Sequence, residues 1–295
     1  MSVRTEDETR APVGLIKWLY EVTNIVDDNQ RAAEFYAGAF GLDAASGVMR
    51  WLEEKKIGFN TGAAKVPIVP SAILYDLNVG RADLRPDPAM GYLAASQASS
   101  TPPAEGNVGV GTGASVGKMF GGTLSMKAGV GTASIDIGAG VIVGAIVAVN
   151  AWGDVIDPQT GSILAGLRSG KVGPLRVGKK GKPADTLSMM KGVVSRRLLG
   201  FASRGNTVIG VVATNARLTK AQATKVAQMA QDGIARTIRP AHTLLDGDVI
   251  FALSTGTKKV DVSTVGAFAA EVLAEAIVRA VKTAKTEGGL PGLMR

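Results

Sequence analysis

Two runs constrain this chain most: Ile142 to Val149 (IVGAIVAV) and Thr207 to Thr214 (TVIGVVAT) are apolar at almost every position. A strand with one solvated face alternates apolar and polar side chains, whereas a strand covered on both faces reads as a continuous apolar run. Both runs have strand length and many β-branched residues, which predicts central strands with layers on either side. Helices supply the layers. Val226, Met229, Ala230 and Ile234 make the apolar stripe of a helix opened by Thr219, with Gln222 in capping-box position and Pro240 beyond its end. Val265 to about Lys285 reads as a long amphipathic helix, and 31–41, 44–56 and about Pro88 to Ser99 as shorter ones. Further strands are predicted at Ile68–Leu77, near Leu124 and Thr132, and at Asp248–Ser254. Without a regular β-α-β alternation, the fold class is α+β, helices packed on sheet layers.

Composition excludes several chemistries. The chain has no Cys and a single His, His242. Disulfides, thiolate nucleophiles and multi-His zinc sites are therefore out of reach, and a Ser-His-Asp triad would have to use His242. His242 reads as a structural histidine, so a hydrolase made from this chain needs another base. The first ten residues, MSVRTEDETR, lack the apolar core of a signal peptide. The longest apolar run, Ile137 to Val149, spans 13 residues with three Gly, too short for a membrane span. The expectation is a soluble, cytoplasmic protein without a membrane partner. The net charge of +8 is concentrated: Arg168 to Arg204 holds ten Lys or Arg against one acid, Asp185. This segment is expected to be an exposed loop. Nucleic-acid binding would call for interleaved aromatics, and the segment has only Phe201, so no nucleic-acid partner is expected.

GTGASVGK (111–118) imitates a phosphate-binding loop but has Thr112 and Met119 where that motif needs Gly and Ser or Thr. Its glycines leave two readings open, a plain turn or a nest of N–H donors for an oxyanion. Asp246, Gly247 and Asp248 stand where a turn enters a strand, either as turn formers or as a carboxylate pair that orients an amine. Asn150 ends its apolar strand as a turn former or an oxyanion donor. Asn206 and Thr207 mark the junction between the basic segment and an apolar strand. A Thr at the head of such a strand can attack the preceding carbonyl, and the α-amine freed by hydrolysis of the ester then serves as base. That amine has an intrinsic pKa of about 7.7–8.0, suited to proton transfer without a His.

Seven ordered blocks carry a resemblance: VPIVPSAILYDL (66–77), GNVGVGTGASVGK (106–118), KAGVGTAS (127–134), AVNAWGDV (148–155), GNTVIGVVATNARL (205–218), DGIARTIRPAHTLLDGDVIFALST (232–255) and the tail helix. Together they resemble the N-terminal nucleophile hydrolases that include the L-aminopeptidase/D-esterase, the β-peptidyl aminopeptidases and the 6-aminohexanoate-oligomer (nylon-oligomer) endohydrolase. The resemblance implies an αββα sandwich, self-cleaved between Asn206 and Thr207 into a large subunit, 1–206, and a small one, 207–295, together one domain. It implies Thr207 as nucleophile, Lys118 as catalytic lysine with Lys127 competing for the role, and Asn150 on the oxyanion side. Tyr75 would line the site, and Asp246 and Asp248 would hold the amine. The implied substrate is a linear ω-amino-acid oligomer or a peptide, with no metal or cofactor, and a tetramer of processed heterodimers is usual in the family. Thr at the nucleophile position is the endohydrolase form, whereas members known as aminopeptidases carry Ser. The alternatives are an aminopeptidase acting on short peptides and a non-catalytic protein that binds an acidic partner through its basic segment. Residues 1–40 do not match the strand and Gly-rich loop with which family members begin.

Overall fold

The computed structural model describes residues 41–80, 82–83, 85–99, 101–192 and 205–294. The helix expected at 31–41 and the divergent residues 1–40 therefore lie outside the described residues, apart from Gly41. The five helices among them are α1 (Gly41–Glu54), α2 (Pro88–Ser96), a single turn α3 (Thr186–Met189), α4 (Lys220–Thr237) and α5 (Val262–Lys282). The strands are β1 (Phe59–Asn60), β2 (Lys65–Val66), β3 (Ser115–Val116), β4 (Met126–Lys127), β5 (Val130–Asp136), β6 (Ile142–Asn150) and β7 (Asp154–Ile156). They continue with β8 (Ile163–Ala165), β9 (Gly170–Val172), β10 (Leu175–Val177), β11 (Thr207–Ala216), β12 (Ile238–Arg239) and β13 (Val249–Lys258).

The two apolar runs are neighbours at the centre of a four-stranded sheet of order β13-β11-β6-β5. β11 runs antiparallel to β6 and parallel to β13. Alternate residues serve opposite faces, as the pleat requires. Val143, Ala145, Val147 and Val149 of β6, with Val208 and Val212 of β11, pack in one core with Val226, Ala230 and Ile234 of α4 and Leu273 and Ile277 of α5. Ile146, Ala148, Val211 and Ala213 face the other way, onto Leu74, Met90, Val108 and Val110. Double burial is why these strands carry almost no polar residues. The capping box is formed: Thr219 Oγ1 accepts from the Gln222 N–H, and the Gln222 side chain accepts from the Thr219 N–H.

The α+β character is as expected. Among the described residues the second largest sheet is the three-stranded β12-β7-β8. The strand expected at Ile68–Leu77 does not form. Pro67 and Pro70 lack the N–H a ladder needs, and Ile68 is 73% exposed. The segment still alternates, with Leu74 and Asp76 buried and Ile73 and Tyr75 outward. Leu124 lies in a 3-10 turn, with the strand beginning at Met126.

The basic segment also departs from expectation in its described part, up to residue 192. Here β9 and β10 form an antiparallel hairpin, and Val177 is buried with Met119, Leu124, Trp152, Leu167 and Ala184. Lys171, Arg176, Lys179, Lys180 and Lys182 are exposed around this apolar anchor. The charge run concealed a small core because single apolar residues between cations carry too weak a periodic signal. Its residues 193–204, Phe201 among them, lie outside the described residues.

Candidate active site

The head of β11 organises the site. Thr207 is the first residue of the strand, 9% exposed, and is the Cα partner of Asn150, the last residue of β6. Directly opposed residues of an antiparallel pair project from the same face. Because β13 lies parallel on the other side of β11, the turn that feeds it comes alongside residues 206–208. Asn206 and Asp246 form a parallel bridge, the Gly247 N–H donates to the Asn206 carbonyl at 2.8 Å, and Asn206 Nδ2 donates to the Leu245 carbonyl at 3.0 Å.

Lys118 arrives through the pairing of two sequence blocks. The Gly117 N–H donates to the Gly153 carbonyl and the Lys118 N–H to the Trp152 carbonyl, at 2.9 and 3.0 Å. Gly117 has φ +73°, and a Cβ there would overlap the backbone of Gly166 and Leu167, so only glycine allows this approach. Lys118 Nζ donates to Asn150 Oδ1 at 2.6 Å and to the Asn150 carbonyl at 2.9 Å. Asn150 Oδ1 also accepts from the Ser115 N–H, and its Nδ2 donates to the Tyr75 carbonyl at 2.8 Å. Lys118 is only partly buried by area, yet its ammonium end is enclosed by protein. Burial lowers its pKa to about 7 against the attraction of Asp246 and Asp76, with Lys127 adding to the fall. Lys127 is fully buried and gives its Nζ hydrogens to the carbonyls of Thr112 and Ala114, 3.1 Å for the latter. Burial brings its pKa down to about 8.

Both carboxylates of the LDGD turn are already engaged. Asp246 accepts from the Trp152 N–H at 3.0 Å and from the Thr243 hydroxyl at 2.6 Å. Asp248 accepts from the Val208 N–H at 2.9 Å and lies 3.0 Å from His242 Nδ1. Burial, then the neighbouring Asp246, pushes the Asp248 pKa up. His242 is thus a histidine satisfied by the Asp248 carboxylate. The ring of Tyr75 packs over Gly205, where a Cβ would overlap it.

Sequence reasoning passed over Asp76. It is 5% exposed, and neither carboxyl oxygen meets an aligned donor, although the nearby backbone N–H groups of Asp76 and Gly113 favour its charged form. Burial raises its pKa to about 8 despite the opposing pull of Lys127 and Lys118. Its signal was the single acid in an otherwise apolar IVPSAILYDL run. Among the described residues, no group of three or more His, Asp or Glu converges to hold a metal, and no helix is long and apolar enough to cross a membrane.

A threonine thus heads a central strand opposite Asn150, which is bonded to Lys118, with an acidic turn alongside, in a mixed helix-sheet protein. Solved structures share this fold. An L-aminopeptidase D-Ala-esterase/amidase of Ochrobactrum anthropi, described as a new variant among the Ntn hydrolase fold, superposes with TM-score 0.58 at 22% identity, covering 85% of this chain and 65% of that one. A protein of Pyrococcus horikoshii gives TM-score 0.53 at 26% identity, covering 83% and 63%.

Residues 37–294 match peptidase family S58, and the chain belongs to that family of hydrolases. An uncharacterized aminopeptidase of Mycobacterium tuberculosis is 42% identical over 269 residues, 86% of this chain and 74% of the relative. A 6-aminohexanoate-oligomer endohydrolase of Kocuria sp. is 28% identical over 257 residues, 83% and 69%. The chain thus spans about two thirds to three quarters of the length of these proteins.

Proposed function

We propose that this chain is a self-processing amide-bond hydrolase with Thr207 as its nucleophile. The observation that carries the reading is the lysine-asparagine-threonine alignment. Asn150 stands opposite Thr207 in the ladder, and its two oxygens take two hydrogens of Lys118 Nζ. A neutral primary amine has just two N–H donors, so this pairing leaves its lone pair free, and a pKa of about 7 makes that form available at neutral pH. In maturation, Thr207 Oγ attacks the Asn206 carbonyl carbon while Lys118 takes the hydroxyl proton. The C–N bond breaks as the Thr207 nitrogen receives a proton, leaving an ester. Water then splits the ester into the Asn206 carboxylate and a Thr207 with free hydroxyl and α-amine. The resulting subunits are 1–206 and 207–295, which remain one domain because β11 is held between β6 and β13.

In turnover the freed amine is the base, with Asp246 and Asp248 beside it, Asn150 on the oxyanion side, Tyr75 at the rim, and a threonyl ester as intermediate. The substrates are amide bonds of linear ω-amino-acid oligomers or of short peptides. The second reading, an aminopeptidase, is favoured by the relatives of that name at 42% identity against 28% for the endohydrolases. Assembly into a homo-oligomer of processed heterodimers belongs to the same proposal. Denaturing electrophoresis tests it: fragments of about 21 and 9 kDa are expected, in proportion to the 206 and 89 residues of a 30.3 kDa chain. A single uncleaved band without activity on aminohexanoate oligomers and amino-acid p-nitroanilides would overturn it.

A further inference from the structure

The DGD turn contributes a third group beyond its two acids. Residues 245–248 grip residues 206–208 at three points: Leu245 takes the Asn206 side chain, Asp248 takes the Val208 N–H, and Gly247 gives its own N–H to the Asn206 carbonyl oxygen. The last contact differs in kind, because that oxygen belongs to the bond broken in maturation. A Cβ built on Gly247 would sit 3.3 Å from Thr207 Oγ1 and 3.7 Å from the Asn206 carbonyl oxygen, so the residue backs both reacting groups.

We propose that the Gly247 N–H is the oxyanion donor of self-cleavage, a catalytic backbone group aimed at the Asn206 carbonyl. This inference rests on the maturation reading above. When Thr207 Oγ adds to the Asn206 carbonyl carbon, the C=O π pair moves onto oxygen, and the 2.8 Å donor already in place meets that charge without rearrangement. The charge returns to re-form C=O as the Asn206–Thr207 C–N bond breaks. The parallel bridge between Asn206 and Asp246 keeps the carbonyl from turning away. Asp246 and Gly247 thus have separate duties: the acid is tied to Trp152 and Thr243, while the next residue polarises the scissile bond.

Replacing the Gly247 amide by an ester, with glycolic acid incorporated at that codon in cell-free translation, removes the N–H and little else. Self-cleavage followed on gels should slow by about 10²–10³-fold against the same suppressed codon carrying glycine, the usual loss for one oxyanion donor. A rate within threefold of that control would overturn the proposal. Gly247→Ala keeps the N–H and should be cleaved at least tenfold faster than the ester chain; equal slowing would assign the effect to space and overturn the donor role. Should the ester chain not fold, hydrogen exchange in the uncleavable Thr207→Ala chain answers instead. There the Gly247 amide should be protected, and exchange at the free-peptide rate would overturn the proposal. If the glycine control never cleaves, the maturation reading itself fails, an outcome distinct from all of these.

Discussion

Thr207 and Asn150 face each other across the antiparallel pairing of β11 with β6, each at the end of its strand. Strand ends are where a rigid ladder hands over to loops, and here the ladder holds a buried pair, with Asn150 fully enclosed. Lys118, whose Nζ is tied to both Asn150 oxygens, is thereby fixed to the threonine's ladder partner without belonging to β11 by sequence or by strand pairing.

The direct consequence concerns Thr207. Thr207→Ala should remain a single full-length chain, and Edman sequencing of the small fragment from the unaltered protein should begin TVIGVVAT. Another starting residue would remove Thr207 as nucleophile. Thr207→Ser keeps the hydroxyl and should still be cleaved.

For Lys118 the expectation is quantitative. Lys118→Ala should slow self-cleavage by about 10²–10⁴-fold, the range for a lost proton-transfer or charge-stabilising group. Because the base must be neutral and its pKa stands at about 7, the rate in the unaltered protein should be level above that pH and fall about tenfold per unit below it. Rapid-mixing pH jumps followed on gels give the profile; a rate flat down to pH 5 would exclude Lys118 as the base.

Asp76 keeps its proton up to about pH 8, so over the acid limb it is already neutral. Asp76→Asn should therefore leave the limb in place, and a downward shift of the limb would mean that the carboxylate is charged there and holds the Lys118 pKa up. Stability has its own sign. The folded carboxyl holds its proton to about pH 8, the unfolded one only to about 3.8, so the folded state binds more protons and stability drops as pH rises between those values. Calorimetry of Asp76→Asn in the Thr207→Ala background should show a shallower decline of Tm over that window.

The basic hairpin separates charge from packing. Reversing Lys179, Lys180 and Lys182 to Glu should leave cleavage and turnover on neutral substrates within a few-fold, because these side chains are exposed and screened over about 8 Å at physiological salt. Val177→Asp, which buries a charge beside Trp152 and Leu167, should lower Tm by several degrees or block folding. Loss of turnover in the triple variant would place the hairpin in the site.

His242→Gln should keep turnover within about tenfold, since the amide can still donate toward Asp248 where His242 Nδ1 now lies at 3.0 Å. A loss of several hundredfold would mean that imidazole acts as an acid or base.

Local sequence determined the parts that local physics controls. Continuous apolar runs announced β6 and β11, since burial on both faces removes any need for polar residues. The Thr219–Gln222 capping box and the stripe from Val226 to Ile234 announced α4. Composition removed Cys and all but one His as reacting groups, while the candidate site residues came from the resemblance carried by the ordered sequence blocks. Tertiary structure alone decided what touches what. Register set Asn150 against Thr207, where a slip of one residue would have turned every side chain to the other face. Packing buried Asp76 between the pulls of two lysines. It also folded the hairpin around Val177 and swung the LDGD turn onto Asn206. These are contacts between segments far apart in the chain. Their energies arise from shape, burial and charge once the layers close, and no short window of residues records them.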